Sequence, residues 1–295
     1  MIKKALITGH AGFIGRHLAD ALKSFDVQLQ ECAIDLLKER LIGQGYQKQD
    51  YVFHLAAKSP AATDAVDTAQ IMRDNVSMTM NVLEFALAAG AKVVVASSSH
   101  VYPPVMGKDW RPLVESEMVP GKTMSAFGSS KQETEKVCRE FSQKHGVPII
   151  LVRLSNVYGP GDQSNRFVPT FARKCLRRQF PLEVLGSGET MRDFVYVDDA
   201  VNGLASASLI PESFDIINIG GGVAISMAET AETIASAFGI SDQPISYLNP
   251  EKSNISYNAL NISKALQKIG YAPKVSLTEG VQKTASWWRA QEKKV

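Results

Sequence analysis

Short apolar runs alternate with amphipathic stretches through the first two thirds of the chain. Residues 5–8, 27–31, 51–55, 93–97, 149–153 and 216–219 are brief and rich in Val, Ile and Leu, which predicts strands buried in a sheet. Between them, residues 16–23, 71–89 and 129–145 place apolar side chains at helical intervals. An alternation of strand and helix predicts a parallel α/β sheet, doubly wound, with helices on both faces. After about Gly159 the pattern becomes irregular, with Pro160, Pro169, Pro181 and Pro211 interrupting it. A smaller α/β lobe is expected there, interleaved with the last strands of the sheet. The expected division is residues 1–160 for the first domain and 161–295 for the second.

The turn after the first apolar run is the first candidate for chemistry. Gly9-His10-Ala11-Gly12-Phe13-Ile14-Gly15 stands between a predicted strand and a predicted helix, the context of a Rossmann-type dinucleotide site. There Gly9 allows a tight turn, Gly12 lets backbone amides approach a pyrophosphate at the positive end of the helix, and Gly15 lets helix and strand pack closely. On its own such a triplet also fits an ordinary glycine-rich turn. The second predicted strand ends in Glu31, about twenty residues past the glycines by the usual spacing of a ribose-binding carboxylate. That acid favours NAD over NADP because it repels a 2′-phosphate. Asp35 competes for the same role, Arg16 and Lys38 are possible phosphate partners, and either acid also reads as ordinary surface charge.

Composition narrows the class. The 295 residues, 45% of them hydrophobic, suffice for one large core or two small ones, and a dispersed net charge of +2 points to no nucleic-acid or membrane surface. Cys32, Cys138 and Cys175 are too widely spaced for a disulfide framework or a zinc site, so a reducing compartment and no metal are expected. Without a long apolar span or a signal-peptide pattern, the expected location is the cytoplasm.

Further motifs follow at the predicted strand ends: His54-Leu55-Ala56-Ala57, Ser97-Ser98-Ser99-His100-Val101-Tyr102, Phe127-x-x-x-Lys131, Arg153-x-x-Asn156-Val157-Tyr158-Gly159-Pro160 and Arg192-Asp193-Phe194-Val195-Tyr196. With the glycine turn, their order and spacing resemble the extended short-chain dehydrogenase/reductases, in the branch of NAD-dependent nucleotide-sugar epimerases and dehydratases. The resemblance runs from about residue 3 to Trp288. It implies NAD as cofactor, held by Gly9, Ala11, Gly12, Phe13, Ile14, Gly15, Leu55, Ala56, Ala57 and Lys131 with Glu31 or Asp35. It also implies a nucleoside-diphosphate sugar as substrate, contacted by Ser98, Ser99, His100, Asn156, Val168 and Arg192. Asn156 and Arg192 take the diphosphate positions, where a guanidinium suits phosphate oxygens. His54 reads more simply as a packed strand-end histidine than as a proton carrier.

In the resembled enzymes a tyrosinate takes a sugar hydroxyl proton as hydride passes to NAD, and a lysine binds the nicotinamide ribose. Lys131 holds the lysine position and Ser98 that of the hydroxyl partner, but Phe127 stands where the tyrosine belongs. Phenylalanine has no titratable group, so acid–base work at that point is lost. Three explanations are open: a Tyr-to-Phe variant, a natural enzyme that uses another base, or a catalytically silent binder of NAD and nucleotide sugar. His100 is the second departure. The similar 4,6-dehydratases carry an Asp-Glu pair where Ser99-His100 stands, and the similar 3,5-epimerases a cysteine at the position of His100. A histidine there suits proton transfer at a carbon made acidic by a neighbouring ketone, for epimerisation or elimination, or it merely fills space in a 4-epimerase. The catalytic candidates are therefore Ser98, His100, Phe127 and Lys131, for a 4-epimerase acting through a transient 4-keto-hexose or for a dehydratase or C3/C5-epimerase. Surface-polysaccharide biosynthesis is a typical setting for the resembled enzymes. Their helices at the positions of 75–89 and 129–145 pair across a twofold axis, which implies a homodimer, although burial within one chain gives the same periodicity.

Overall fold

All six apolar runs form strands of one sheet in the computed structural model, which describes residues 3–23, 27–46, 48–59, 67–107, 110–240, 245–252 and 256–292. The first half of the chain contains β1 (Lys3–Thr8), α1 (Phe13–Lys23), β2 (Val27–Glu31), β3 (Tyr51–His54), α2 (Thr68–Ala89), β4 (Lys92–Ser98), β5 (Val105–Met106), α3 (Ala126–His145) and β6 (Ile149–Leu154). The second contains β7 (Asn156–Tyr158), α4 (Phe167–Leu176), β8 (Leu182–Leu185), β9 (Met191–Tyr196), α5 (Val197–Ala207), β10 (Phe214–Ile219), β11 (Ala224–Ser226), α6 (Met227–Ala237), β12 (Ile245–Leu248), β13 (Ser256–Asn258), α7 (Ser263–Ile269) and α8 (Leu277–Glu292).

The main sheet is parallel throughout, in the order β10-β6-β4-β3-β1-β2. Its strands are apolar on both faces because both are covered. Ala5, Ile7, Phe53, Val94, Ile150 and Val152 point into one core, which α1 and α5 cover. Their neighbours in sequence, Leu6, Val52, Val93, Val95, Ile149 and Leu151, point into a second core closed by α2 and α3. The alternation follows from the two-residue period of a strand. In α2, Val82, Leu83 and Ala86 are spent on that inner core, so the helical periodicity is satisfied within one chain.

The smaller lobe holds a mixed sheet in the order β11-β9-β13-β5, with β7 also paired to β9, and a separate pair β12-β8. Residue 160 is crossed in both directions. β10 completes the main sheet, whereas β5, from the first half, pairs with β13, where Met106 lies opposite Ser256. The three cysteines are buried free thiols. Among the described residues, no helix is long and apolar enough to cross a membrane.

Candidate functional site

At the carboxyl end of β1 the glycine turn leaves no room for side chains. Gly9 has φ +73°, and a Cβ there would lie 2.7 Å from the Ala56 nitrogen; a Cβ on Gly15 would lie 2.1 Å from the Gly9 carbonyl oxygen. The Gly12 amide donates to the Gly9 carbonyl at 3.0 Å, and α1 begins directly afterwards. The amides of Phe13 and Ile14, in the first turn of α1, point where no carbonyl precedes them, as the start of a helix requires. This tight, side-chain-free cradle at a helix N-terminus fits a dinucleotide pyrophosphate. Glu31 ends β2 with its carboxylate 3.7 Å from His10 Nε2 and more than half exposed. Asp35 is occupied otherwise: its carboxylate accepts from the Leu37 amide at 3.0 Å and pairs with Lys38 at 3.2 Å, and these contacts lower its pKa. Leu55, Ala56 and Ala57 follow β3 and flank the turn, with the Leu55 amide donating to the Thr8 carbonyl.

His54 is structural. Thr79 Oγ1 donates to the Asn75 carbonyl at 2.8 Å, so it accepts from His54 Nε2–H at 3.1 Å; Nδ1 is then the acceptor of the Thr8 hydroxyl at 2.8 Å. Burial, assisted by the charge of Lys131, lowers its pKa to about 3, so the ring is neutral and fully engaged.

β4 and α3 bring the catalytic candidates together. Ser98 ends β4 and Ser99–Val101 form a 3₁₀ turn, with the Ser98 Oγ accepting from the His100 amide at 3.2 Å. Ser125 caps α3: its Oγ accepts from the Gly128 amide at 3.1 Å and lies 2.9 Å from His100 Nδ1. Gly128 has no side chain for a plain reason, since a Cβ would lie 2.2 Å from the His100 carbonyl oxygen. In the first turn of α3, the Phe127 ring lies edge-on to His100 at 6.3 Å between centroids, and Lys131 Nζ is 5.6 Å from the centre of the same ring. Burial lowers Lys131 to about 8, and its ammonium donates to the Ala96 carbonyl at 2.7 Å. Burial also lowers His100, and the positive charges of Arg192 and Arg166 lower it further.

The diphosphate candidates meet at the β7–β9 pair. Asn156 lies opposite Phe194 and donates from Nδ2 to the Asp193 carbonyl at 2.8 Å. Arg192 donates to the carbonyls of Met191 and Ser256 and to the Ser256 hydroxyl, the last at 3.0 Å. Two expected substrate contacts have their side chains turned inward. Ser99 is 1% exposed because it opens the turn beneath β13, where its carbonyl accepts from Asn258. Val168 is 3% exposed because it falls on the core stripe of α4 with Phe171, Ala172 and Cys175, so only its backbone is available to a ligand.

Ser125, Ser256 and Asn258 were not singled out in the sequence. A helix-capping serine at 125 was legible from residue type and position. Nothing local marks Ser256 or Asn258, which reach the site through the pairing of β13 with β9.

Residues 5–220 match the model of the NAD dependent epimerase/dehydratase family. The chain is 27% identical to the dTDP-glucose 4,6-dehydratase of an Actinoplanes species, over 97% of this chain and 98% of the relative. It is 29% identical to the UDP-N-acetyl-alpha-D-glucosaminuronate decarboxylase of Bacillus cytotoxicus, over 99% of each. Its fold superposes with a TM-score of 0.82 on a Tyr-to-Phe mutant of UDP-glucuronic acid 4-epimerase from Bacillus cereus in complex with UDP-4-deoxy-4-fluoro-glucuronic acid and NAD; the two are 26% identical over 98% of this chain and 99% of that one.

Proposed function

Since the chain belongs to the NAD-dependent epimerase/dehydratase family, we propose that it is a nucleotide-sugar 4-epimerase acting through a transient 4-keto-hexose. The observation that carries this reading is the placement of His100 and Lys131 beside Phe127, with Ser98 at the carboxyl end of β4 bonded to the His100 amide. In α/β sheets that end is where ligands bind. When bound, NAD supplies a reversible hydride acceptor. The residues proposed to hold it are the amides of the Gly9–Gly15 turn for the pyrophosphate, Glu31 for the adenosine ribose and Lys131 for the nicotinamide ribose. Arg192 and Asn156 are proposed to hold the substrate diphosphate, the guanidinium exchanging its contacts to Ser256 for phosphate oxygens. Ser98 Oγ accepts from a backbone amide and so keeps its own hydrogen for the sugar oxygen.

One observation favours a second reading. His100 stands beside Phe127 with burial and the charges of Arg192 and Arg166 lowering its pKa, which suits removal of a carbon-bound proton next to a 4-ketone and would make the chain a dehydratase or C3/C5-epimerase. Incubation with UDP-, dTDP- and GDP-hexoses, followed by chromatography and mass spectrometry, separates the readings. An isomer of equal mass is expected, and a product lighter by one water identifies the dehydratase. Intact sugars after incubation with both this protein and its Phe127→Tyr variant, with NAD still bound, leave only a binding protein.

A homodimer is part of the same proposal. The outer faces of α2 and α3 form an apolar groove with charged edges, lined by Met80, Leu87, Val137 and Phe141 with Glu84 and Lys144 beside them. A second copy laying the same face there is expected, and light scattering that returns the mass of one chain across micromolar concentrations refutes it.

A further inference from the structure

We infer that His100 takes the proton of the sugar hydroxyl that is oxidised, and that Ser125 holds the imidazole in the tautomer this requires. The inference rests on the 4-keto reading above. Oxidation of a hydroxyl needs a group that accepts its proton, and Phe127 offers none.

Two titratable side chains flank the Phe127 ring. Lys131 is mainly an ammonium below its pKa of about 8 and donates to the Ala96 carbonyl, so it has no lone pair to offer. His100 is edge-on to the same ring, and among the described residues the charges that act on it are those of Arg192 from β9 and Arg166 just ahead of α4, with Lys131 also beside Phe127. Burial and these charges keep the imidazole neutral near pH 7.

The capping serine is placed to hold the tautomer that this role needs. A hydroxyl oxygen accepts two hydrogen bonds. Ser125 Oγ takes one from the Gly128 amide at 3.1 Å, which leaves its second lone pair and its own hydrogen toward His100 Nδ1 at 2.9 Å; the proposed role uses the arrangement in which the lone pair accepts. With Nδ1–H donated to Ser125, Nε2 carries the lone pair, and it has no partner among the described residues. The backbone that carries the ring is held. Its amide is held by Ser98 at 3.2 Å, its carbonyl accepts from the Met124 amide at 3.3 Å, and Gly128 lets the helix close on that carbonyl.

In the forward step the sugar O–H bond breaks and its proton passes to Nε2. The electron pair of the adjacent C–H bond leaves as the hydride that NAD takes, and a carbonyl forms. In the return step the carbonyl oxygen recovers its proton from Nε2 as hydride comes back, so nothing accumulates. The imidazolium formed between the steps still donates Nδ1–H to Ser125.

The test uses the NAD-loaded protein labelled with ¹⁵N-histidine, with His100→Gln to assign the His100 ring among the five histidines. The wild type is expected to show His100 neutral and protonated on Nδ1. Ser125→Ala is expected to shift the ring toward the Nε2–H tautomer, and Ser125→Thr to restore it. Turnover of the responsive nucleotide sugar is expected to fall about 10²-fold or more in His100→Gln. In Ser125→Ala the acid limb of kcat/KM is expected to move to lower pH, because the imidazolium loses its acceptor; a purely structural serine would leave that limb in place. A wild-type ring protonated on Nε2, or a His100→Gln enzyme within twofold of wild-type turnover, overturns the inference while the 4-keto reading stands. A wild type that binds NAD and converts no sugar overturns both.

Discussion

Glu135→Ala is expected to cost about 3–5 kcal/mol of folding stability, the usual result of stranding one half of a buried ion pair. Arg153 on β6 and Glu135 on α3 form a two-pronged pair, with Nε–Oε1 at 2.9 Å and Nη2–Oε2 at 2.7 Å, and their side chains are 1% and 4% exposed. Most of the remaining hydrogen-bonding capacity is used: Ser97 Oγ donates to Glu135 Oε1, and Arg153 Nη1 reaches the Tyr102 hydroxyl at 3.0 Å and the Glu115 carbonyl at 2.8 Å. Burial works against the guanidinium charge, but Glu135 and Tyr102 more than offset it and raise the Arg153 pKa. Without Glu135 the cation stays in a dry interior with too few acceptors. Chemical denaturation of the two proteins measures the difference, and a loss below about 1 kcal/mol would show that water or a rearranged side chain serves the cation instead. The double variant Glu135→Leu/Arg153→Met removes both charges and is expected to be less destabilised than Glu135→Ala alone.

The pair also sets the site. Tyr102 passes its own hydrogen to Asn218 Oδ1 at 2.7 Å, and Asn218 Nδ2 holds the Leu113 carbonyl at 2.9 Å, so one network ties β4, β6, β10 and α3 to the turn that carries His100. Loss of stability and loss of turnover should therefore move together in Glu135 variants, whereas Ser125→Ala should change the pH profile at the smaller stability cost of a lost helix cap, about 1 kcal/mol.

This division matches what the sequence makes legible. The strands of the main sheet stand out because each is apolar on both faces, a pattern that depends only on neighbours along the chain. Their spatial order is not written locally, and neither is the union of β5 with β13, which joins Met106 to Ser256. The glycine turn and Glu31 lie near one another in sequence and are readable from spacing. Arg153 and Glu135 are 18 residues apart on different elements, and an arginine in an apolar strand gives no sign of its partner. The start of α3 shows a different obstacle. The apolar periodicity alone places the helix start at 129, but the helix starts at Ala126 because Ser125 caps it. That cap is what brings Ser125 to His100.

Phe127→Tyr in a His100→Gln background is expected to recover turnover by at least tenfold over His100→Gln alone. The phenol would stand on the first turn of α3 beside His100, and Lys131 Nζ is already 5.6 Å from the centre of the ring that would carry it. A buried ammonium at that range favours the phenolate, which is the form that accepts a proton. Two groups would then be available for one proton, and each should matter most when the other is absent. In the wild-type background the same substitution should therefore give a smaller gain, measured as kcat with the sugar that responds. If Phe127→Tyr instead raises an almost silent wild type by about 10³-fold or more, within the range of a full acid–base contribution, then His100 does not serve the hydroxyl and the phenylalanine is what silences the chain. The ratio of the two gains, with and without His100, distinguishes a protein that replaced its tyrosine from one that merely lost it.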